Sequence, residues 1–156
     1  MAAFLARSAL PFVRRTRLTK PLEDRSAIVL VDTIGELSAL WGLADIAFVG
    51  GSLDGRRGGQ NMIEPAAYGA AVLFGPHTWN FRDTVARLLE ANAAIQVADS
   101  TELERSLVRL LSEPAERQRL GEAAQRLVLS QQGATERTLD CLDQLLTAGL
   151  SGYRAA

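Results

Sequence analysis

The sequence predicts an α/β fold, a parallel sheet flanked by helices, on two observations: short, β-branched apolar runs that close in glycine, and helical apolar patterns lying between them. The runs are AIVLV (residues 27–31), DIAFVG (45–50) and AAVLFG (70–75), with AIQV (94–97) a weaker fourth. Unbroken apolarity, rather than alternation, is expected of strands covered on both faces. The helical patterns fall at residues 36–44, 62–68 and 81–91, the last placing Val85, Leu88 and Leu89 on one face. Strand and helix therefore alternate through the first two thirds of the chain.

The elements follow in order. Residues 1–10 read as a helix running into a strand at 12–14. Their arginines follow the apolar stretch, the reverse of a secretory leader, so the segment reads as part of the folded domain. After the fourth strand the chain turns helical. Leu103, Leu107, Leu110 and Leu111 share a face behind the cap candidate Ser100, with Glu104 as a capping-box partner if Thr101 is the cap. Pro114 opens the next helix, capped by Ser112 or Glu113 and stopped by Gly133. A last helix at 135–146 carries Leu139, Leu142 and Leu145 on one stripe, read as packing surface, and places Cys141 as a buried thiol. The expected organisation is one domain over residues 1–148 with a flexible tail at 149–156.

Bulk properties narrow the function. The 156 residues suit one domain, 47% of them are hydrophobic, and 17 basic residues nearly balance 18 acidic ones. That balance argues against attraction to nucleic acid or to an anionic membrane. A single cysteine and a single histidine provide no metal-ligand spacing. Anion recognition, if present, must be local.

The segment GGSLDGRRGGQNMIEP (residues 50–65) supplies such a context, because it follows a predicted buried strand and leads into a helix. Gly58 and Gly59 would let backbone N–H groups approach a phosphate, and Asn61 would sit near the helix start, where unpaired N–H groups favour an anion. Arg56 and Arg57 add positive charge. The same features also fit an ordinary glycine-rich loop with a solvated basic pair. Glu64, in the first turn, could accept hydrogen bonds from both hydroxyls of a ribose, or could simply complement the helix dipole. His77 lies in the loop after the third apolar run, at the sheet end where such folds bind ligands. With no nucleophilic or acidic partner nearby in sequence, it reads as a structural or substrate-orienting imidazole. Asn80 reads as the cap of the helix that follows, and Trp79 and Phe81 as packing residues.

Four segments in register, DTIGEL (32–37), ADIAFVGGS (44–52), GGQNMIEPAAYG (58–69) and FGPHTWNF (74–81), resemble the ordered signature of the Kdo (3-deoxy-D-manno-oct-2-ulosonic acid) transferases. The resemblance covers about residues 12–146. It implies the Rossmann-like C-terminal half of a GT-B glycosyltransferase, which holds the donor CMP-Kdo, with no cofactor and no metal. It places Ile34, Gly35 and Glu36 beside the cytidine base, Gly58, Gly59 and Asn61 beside the phosphate, and Glu64 on the ribose. Arg14 and Arg15 match an arginine pair near the leaving phosphate, of which one is expected to act. Gln60 stands where the family usually has histidine, which puts any contact needing an ionisable group there in doubt; with His77 it is a possible substrate-orienting residue.

The resemblance also implies parts that this sequence does not contain. The family's catalytic base is a carboxylate of the amino-terminal domain, so no catalytic residue is assigned here and the chain alone is expected to be inactive. Lipid A precursor as acceptor, and membrane association on the cytoplasmic face of the bacterial inner membrane, are expected only through that amino-terminal region; the fragment itself is expected to be soluble. The domain's first strand is expected to be absent, leaving a gapped or re-paired sheet. Two other readings remain: a GT-B transferase using another nucleotide sugar, and a catalytically silent nucleotide-binding or interaction module.

Overall fold

The computed structural model describes residues 1–24, 26–133 and 138–146. The chain divides into two compact units, Met1–Leu43 and Ala44–Ala156. The strands fall into two parallel sheets, one of two strands in the first unit and one of three in the second.

The first unit is slight. Helix α1 (Ala2–Arg7) leads to β1 (Phe12–Arg14), a single 3-10 turn (Arg15–Arg17), β2 (Ile28–Leu30), and α2 (Leu37–Leu40) with a further 3-10 turn (Trp41–Leu43). The predicted helix at 36–44 is thus split, Glu36 occupying the cap position of α2. β1 and β2 pair in parallel, Phe12 opposite Ile28 and Arg14 opposite Leu30. The run at 27–31 is a strand but is not covered on both faces: Ile28 and Val29 are each 37% exposed. Two strands of three residues offer little area to bury, and Leu5 is the only buried residue among those described in this unit.

The second unit carries the core. β3 (Ile46–Val49), β4 (Ala71–Phe74) and β5 (Ala94–Gln96) are parallel, with Ile46 opposite Ala71 and Val72 opposite Ala94. Helix α3 (Ile63–Ala67) joins β3 to β4, and α4 (Arg82–Glu90) joins β4 to β5. Helices α5 (Ser100–Ser112) and α6 (Pro114–Ser130) follow. β4 is the central strand and is buried throughout. Its side chains alternate between two apolar layers. Val72 and Phe74 pack with Met62, Ala66, Leu88 and Ala124, whereas Ala71 and Leu73 pack with Val97, Leu110 and Leu120. Each large side chain buried in this way contributes about 1.5–3 kcal/mol relative to exposure, which makes this sheet the rigid base for the loops at its carboxyl end.

α6 closes one side of the unit, and Gly121 explains how near it comes. A Cβ at that position would lie 2.0 Å from the carbonyl oxygen of Gly69, so only glycine lets the helix rest on the turn that ends α3. Gln125 Nε2 then donates to the carbonyl of Ala67 at 3.0 Å.

Four expectations are corrected locally. The cap of α5 is Asp99, not Ser100: its carboxylate accepts from the Glu102 N–H at 2.9 Å, and Glu102 accepts from the Ala98 N–H at 2.7 Å, an arrangement close to a capping box and two residues before the Thr101–Glu104 pair expected. Asn80 does not cap α4, whose cap position is taken by Phe81. In the helical segment 138–146, Leu139, Leu142 and Leu145 are 50% exposed or more, and Cys141 is exposed, so neither the packed stripe nor the buried thiol is found. The expected start of that helix and the expected tail lie outside the described residues. No described helix is long and apolar enough to cross a membrane.

Candidate functional site

The glycine-rich loop leaves the carboxyl end of β3 and folds back on itself. The N–H of Gly59 donates to the carbonyl of Gly51 at 2.9 Å, and that of Gln60 to the carbonyl of Gly50 at 3.2 Å. Gly58 and Gly59 are buried, while Gln60 and both Arg56 and Arg57 are exposed. Two N–H groups available in principle for an anion are thus spent on the loop itself. This could not be read from glycine spacing, which signals conformational freedom but not the direction of an amide.

Ser52 ties the loop to the sheet. Completely buried, it donates through Oγ to the carbonyl of Val49 at 2.6 Å and accepts from the Gly75 N–H at 2.8 Å, so one hydroxyl joins the ends of β3 and β4. Its own carbonyl accepts from the N–H of His77 at 2.9 Å. Sequence reasoning passed over Ser52. The signal was a small hydroxyl residue immediately after the paired glycines at a strand end.

The segment GPHTWNF acts on the loop from above. The His77 ring lies over Gly55, where a Cβ would meet Nε2 at 3.3 Å, and it contacts the Trp79 ring edge-on with centroids 6.1 Å apart. Trp79 covers Gly58 so closely that a Cβ there would fall 2.4 Å from the indole ring. Asn80 Nδ2 donates to the carbonyl of Arg57 at 2.7 Å and reaches that of Gly59 at 3.5 Å, and the Asn80 N–H donates to Gly58 at 3.3 Å. Trp79 packs, as expected, and it packs on the glycine loop.

Asn61 and Glu64 come together at the start of α3. Asn61 Oδ1 accepts from the Ile63 N–H at 2.9 Å, and its Nδ2 donates to Glu64 Oε1 at 3.0 Å. The asparagine therefore satisfies one free amide of the helix start and aims the carboxylate one turn in. Pro65 is tolerated there because its missing N–H falls in the first turn. A cavity of about 420 Å³ in this unit is lined by Ile63, Asp83, Arg87, Leu127 and Val128 among others, and contains none of the candidate residues.

In the first unit the arginine pair and the DTIGEL segment meet. Arg15 Nη2 donates to Glu36 Oε1 at 2.9 Å, and Glu36 Oε2 accepts a short hydrogen bond from the Thr33 hydroxyl. Arg14 lies 3.7 Å from Asp32, whose carboxylate also accepts from the backbone N–H and the hydroxyl of Thr16 at 3.0 and 2.9 Å. The Thr16 backbone N–H is the chief cause of a lowered Asp32 pKa, with the Thr16 hydroxyl and the Arg14 charge adding to it against partial desolvation. Glu36, expected beside a base, has both oxygens engaged by Arg15 and Thr33. Ile34 is fully exposed and Gly35 has a φ of +89°, so this turn presents its tip to solvent.

The comparisons with known proteins agree with this architecture. A family profile described as glycosyl transferase-like matches residues 52–145, which take in the glycine loop, α3 and every element after it. The chain belongs to the glycosyl transferase-like family. It is similar to 3-deoxy-D-manno-octulosonic acid transferases: 40% identical over 93% of the chain to that of Bordetella pertussis, and 37% identical over 94% to that of Haemophilus influenzae. The chain spans about a third of the length of these relatives, 34% in each case. The solved C-terminal CMP-Kdo binding domain of WaaA from Acinetobacter baumannii is similar in structure, with a TM-score of 0.74 and 26% identity, covering 81% of this chain and 65% of that one. The match shows for this chain the Rossmann-like arrangement expected of a C-terminal GT-B domain.

Proposed function

We propose that this chain binds the cytidine monophosphate portion of CMP-Kdo and serves as the donor-binding part of a Kdo transferase. The observation that carries the reading is the Asn61–Glu64 pair, a carboxylate aimed at 3.0 Å by its neighbour in the first turn after a glycine-rich strand end. A carboxylate so placed suits the two hydroxyls of a ribose, and the carboxyl ends of parallel strands are where open α/β sheets take their ligands. Similarity to the CMP-Kdo binding domain of WaaA from Acinetobacter baumannii supports the choice of nucleotide.

The remaining roles belong to the same proposal. Gly58, Gly59 and Asn61 shape the loop beside the phosphate, and His77 and Gln60 orient the substrate. Ile34 and Gly35 contact the base. Arg14 is the better phosphate ligand of its pair, because Arg15 is held by Glu36 at 2.9 Å whereas Arg14 stands 3.7 Å from Asp32. Glu36 acts by holding Arg15 in place. For the whole protein we propose inverting transfer of Kdo to a lipid A precursor at the cytoplasmic face of the bacterial inner membrane, with CMP leaving. The base and the acceptor surface belong to an amino-terminal domain. The donor-binding chain itself contributes positive charge and fixed dipoles that stabilise the developing phosphate charge.

Glu64→Gln tests the central assignment. It keeps the size and one acceptor but removes the charge, and CMP affinity measured by calorimetry should fall about tenfold, as for loss of a charge-assisted hydrogen bond. Unchanged CMP affinity in a folded Glu64→Gln chain would remove Glu64 from the ribose.

A further inference from the structure

Resting on the nucleotide reading, we infer that the phosphate-contacting group of the glycine loop is the guanidinium of Arg57, and that the loop's backbone amides serve mainly to hold that arginine in place. Three observations converge. First, the N–H groups of Gly59 and Gln60 are donated to Gly51 and Gly50, and that of Ile63 to Asn61 Oδ1, so these amides face the protein. Fewer backbone donors are then left to recognise an anion at this strand end, which favours a side chain.

Second, Arg57 is held at both its backbone and its stem. Its carbonyl accepts from Asn80 Nδ2 at 2.7 Å. Its aliphatic stem lies over Gly51, where a Cβ would be 3.1 Å from Arg57 Cβ and 3.5 Å from its Cδ. Gly51 thus leaves the groove in which the stem lies, at the carboxyl end of β3. An arginine restrained along its stem loses less rotamer freedom when its head group binds.

Third, Arg57 makes no salt bridge among the described residues, unlike Arg14, Arg15, Arg109 and Arg126. Arg56 differs from it in setting. The nearby carboxylate of Asp54 accepts from the Arg56 N–H at 3.2 Å, and no comparable restraint of the Arg56 stem is found. The loop therefore presents one anchored, uncompensated guanidinium, whose planar fork suits the oxygens of a phosphate diester or monoester.

The test compares CMP with cytidine, which differ only in the phosphate. Titrations of the wild-type chain, Arg57→Ala, Arg57→Gln and Arg56→Ala by calorimetry for CMP and by NMR shift for cytidine separate the outcomes. Arg57→Ala should weaken CMP about 10- to 100-fold, the scale of a charge-assisted contact, and leave cytidine affinity within about twofold. Arg56→Ala should change neither by more than about twofold. Arg57→Gln keeps most of the stem and should reproduce the loss if Arg57→Ala fails to fold. The inference is overturned if Arg57→Ala and Arg57→Gln retain CMP affinity, if they weaken cytidine as much as CMP, or if Arg56→Ala matches them. A wild-type chain that binds neither ligand would instead refute the nucleotide reading, and this inference with it.

Discussion

Replacing Gly58 by alanine should reveal how the GPHTWNF segment shapes the glycine loop. Gly58 has a φ of +73°, a region that costs an L-residue about 1–2 kcal/mol. The new Cβ would also lie 2.4 Å from two atoms of the Trp79 indole and 2.8 Å from a third, distances that no side chain sustains. Trp79 is 42% exposed, so its ring can be displaced outward, and overpacking of this kind costs about 1–3 kcal/mol. Gly58→Ala should therefore destabilise the chain by about 2–5 kcal/mol. In a Trp79→Ala background the obstruction is gone and only the backbone cost of about 1–2 kcal/mol should remain. A double-mutant cycle followed by urea unfolding and circular dichroism should thus return a coupling of about 1–3 kcal/mol. Additivity within about 0.5 kcal/mol would refute the claim that Trp79 dictates glycine at position 58.

Two further outcomes follow from the hydrogen bonds. Ser52→Ala should cost about 1–3 kcal/mol in denaturant unfolding, because it leaves the Gly75 N–H without its partner in a fully buried setting. Asp32 is held below its usual 3.8 chiefly by the Thr16 N–H, so its ionised form favours the folded state. That contribution is complete above the unfolded-state value of about 3.9 and is lost as pH falls through the lower folded value. Unfolding of wild type and Asp32→Asn between about pH 7 and about pH 2.5 should show a stability difference that shrinks only at the acid end; a constant difference would disprove it.

Strands and most helix positions were legible because their signals are local. An apolar run closing in glycine reports its own burial and its own turn, and β3, β4 and β5 each fall inside such a run. Pro114 announced the first turn of α6. The run at 27–31 shows the limit of that reasoning: it forms β2, yet its exposure depends on what else is available to cover it. The cap of α5 fell one residue early because Asp99, Ser100 and Thr101 are all competent caps, and only the bond that the Glu102 N–H donates to Asp99 distinguishes them. Asn80 went to the glycine loop instead of to α4 because carbonyls of Arg57 and Gly59, more than twenty residues away, lie within its reach.

By itself the sequence determined the α/β class, the order of its elements and the segment in which the candidate chemistry lies, since hydrophobic period and turn residues act over a few positions. It also contained Asn61 and Glu64 at the helical spacing that lets one aim the other. Only the tertiary structure decided which groups in that segment face outward. Gly59 and Gln60 turn their amides into the loop, Trp79 closes over Gly58, and Gly51 makes room for the stem of Arg57. Those choices depend on contacts between residues from six to about twenty positions apart, and a local pattern contains no information about the direction in which a backbone amide will point once such contacts form.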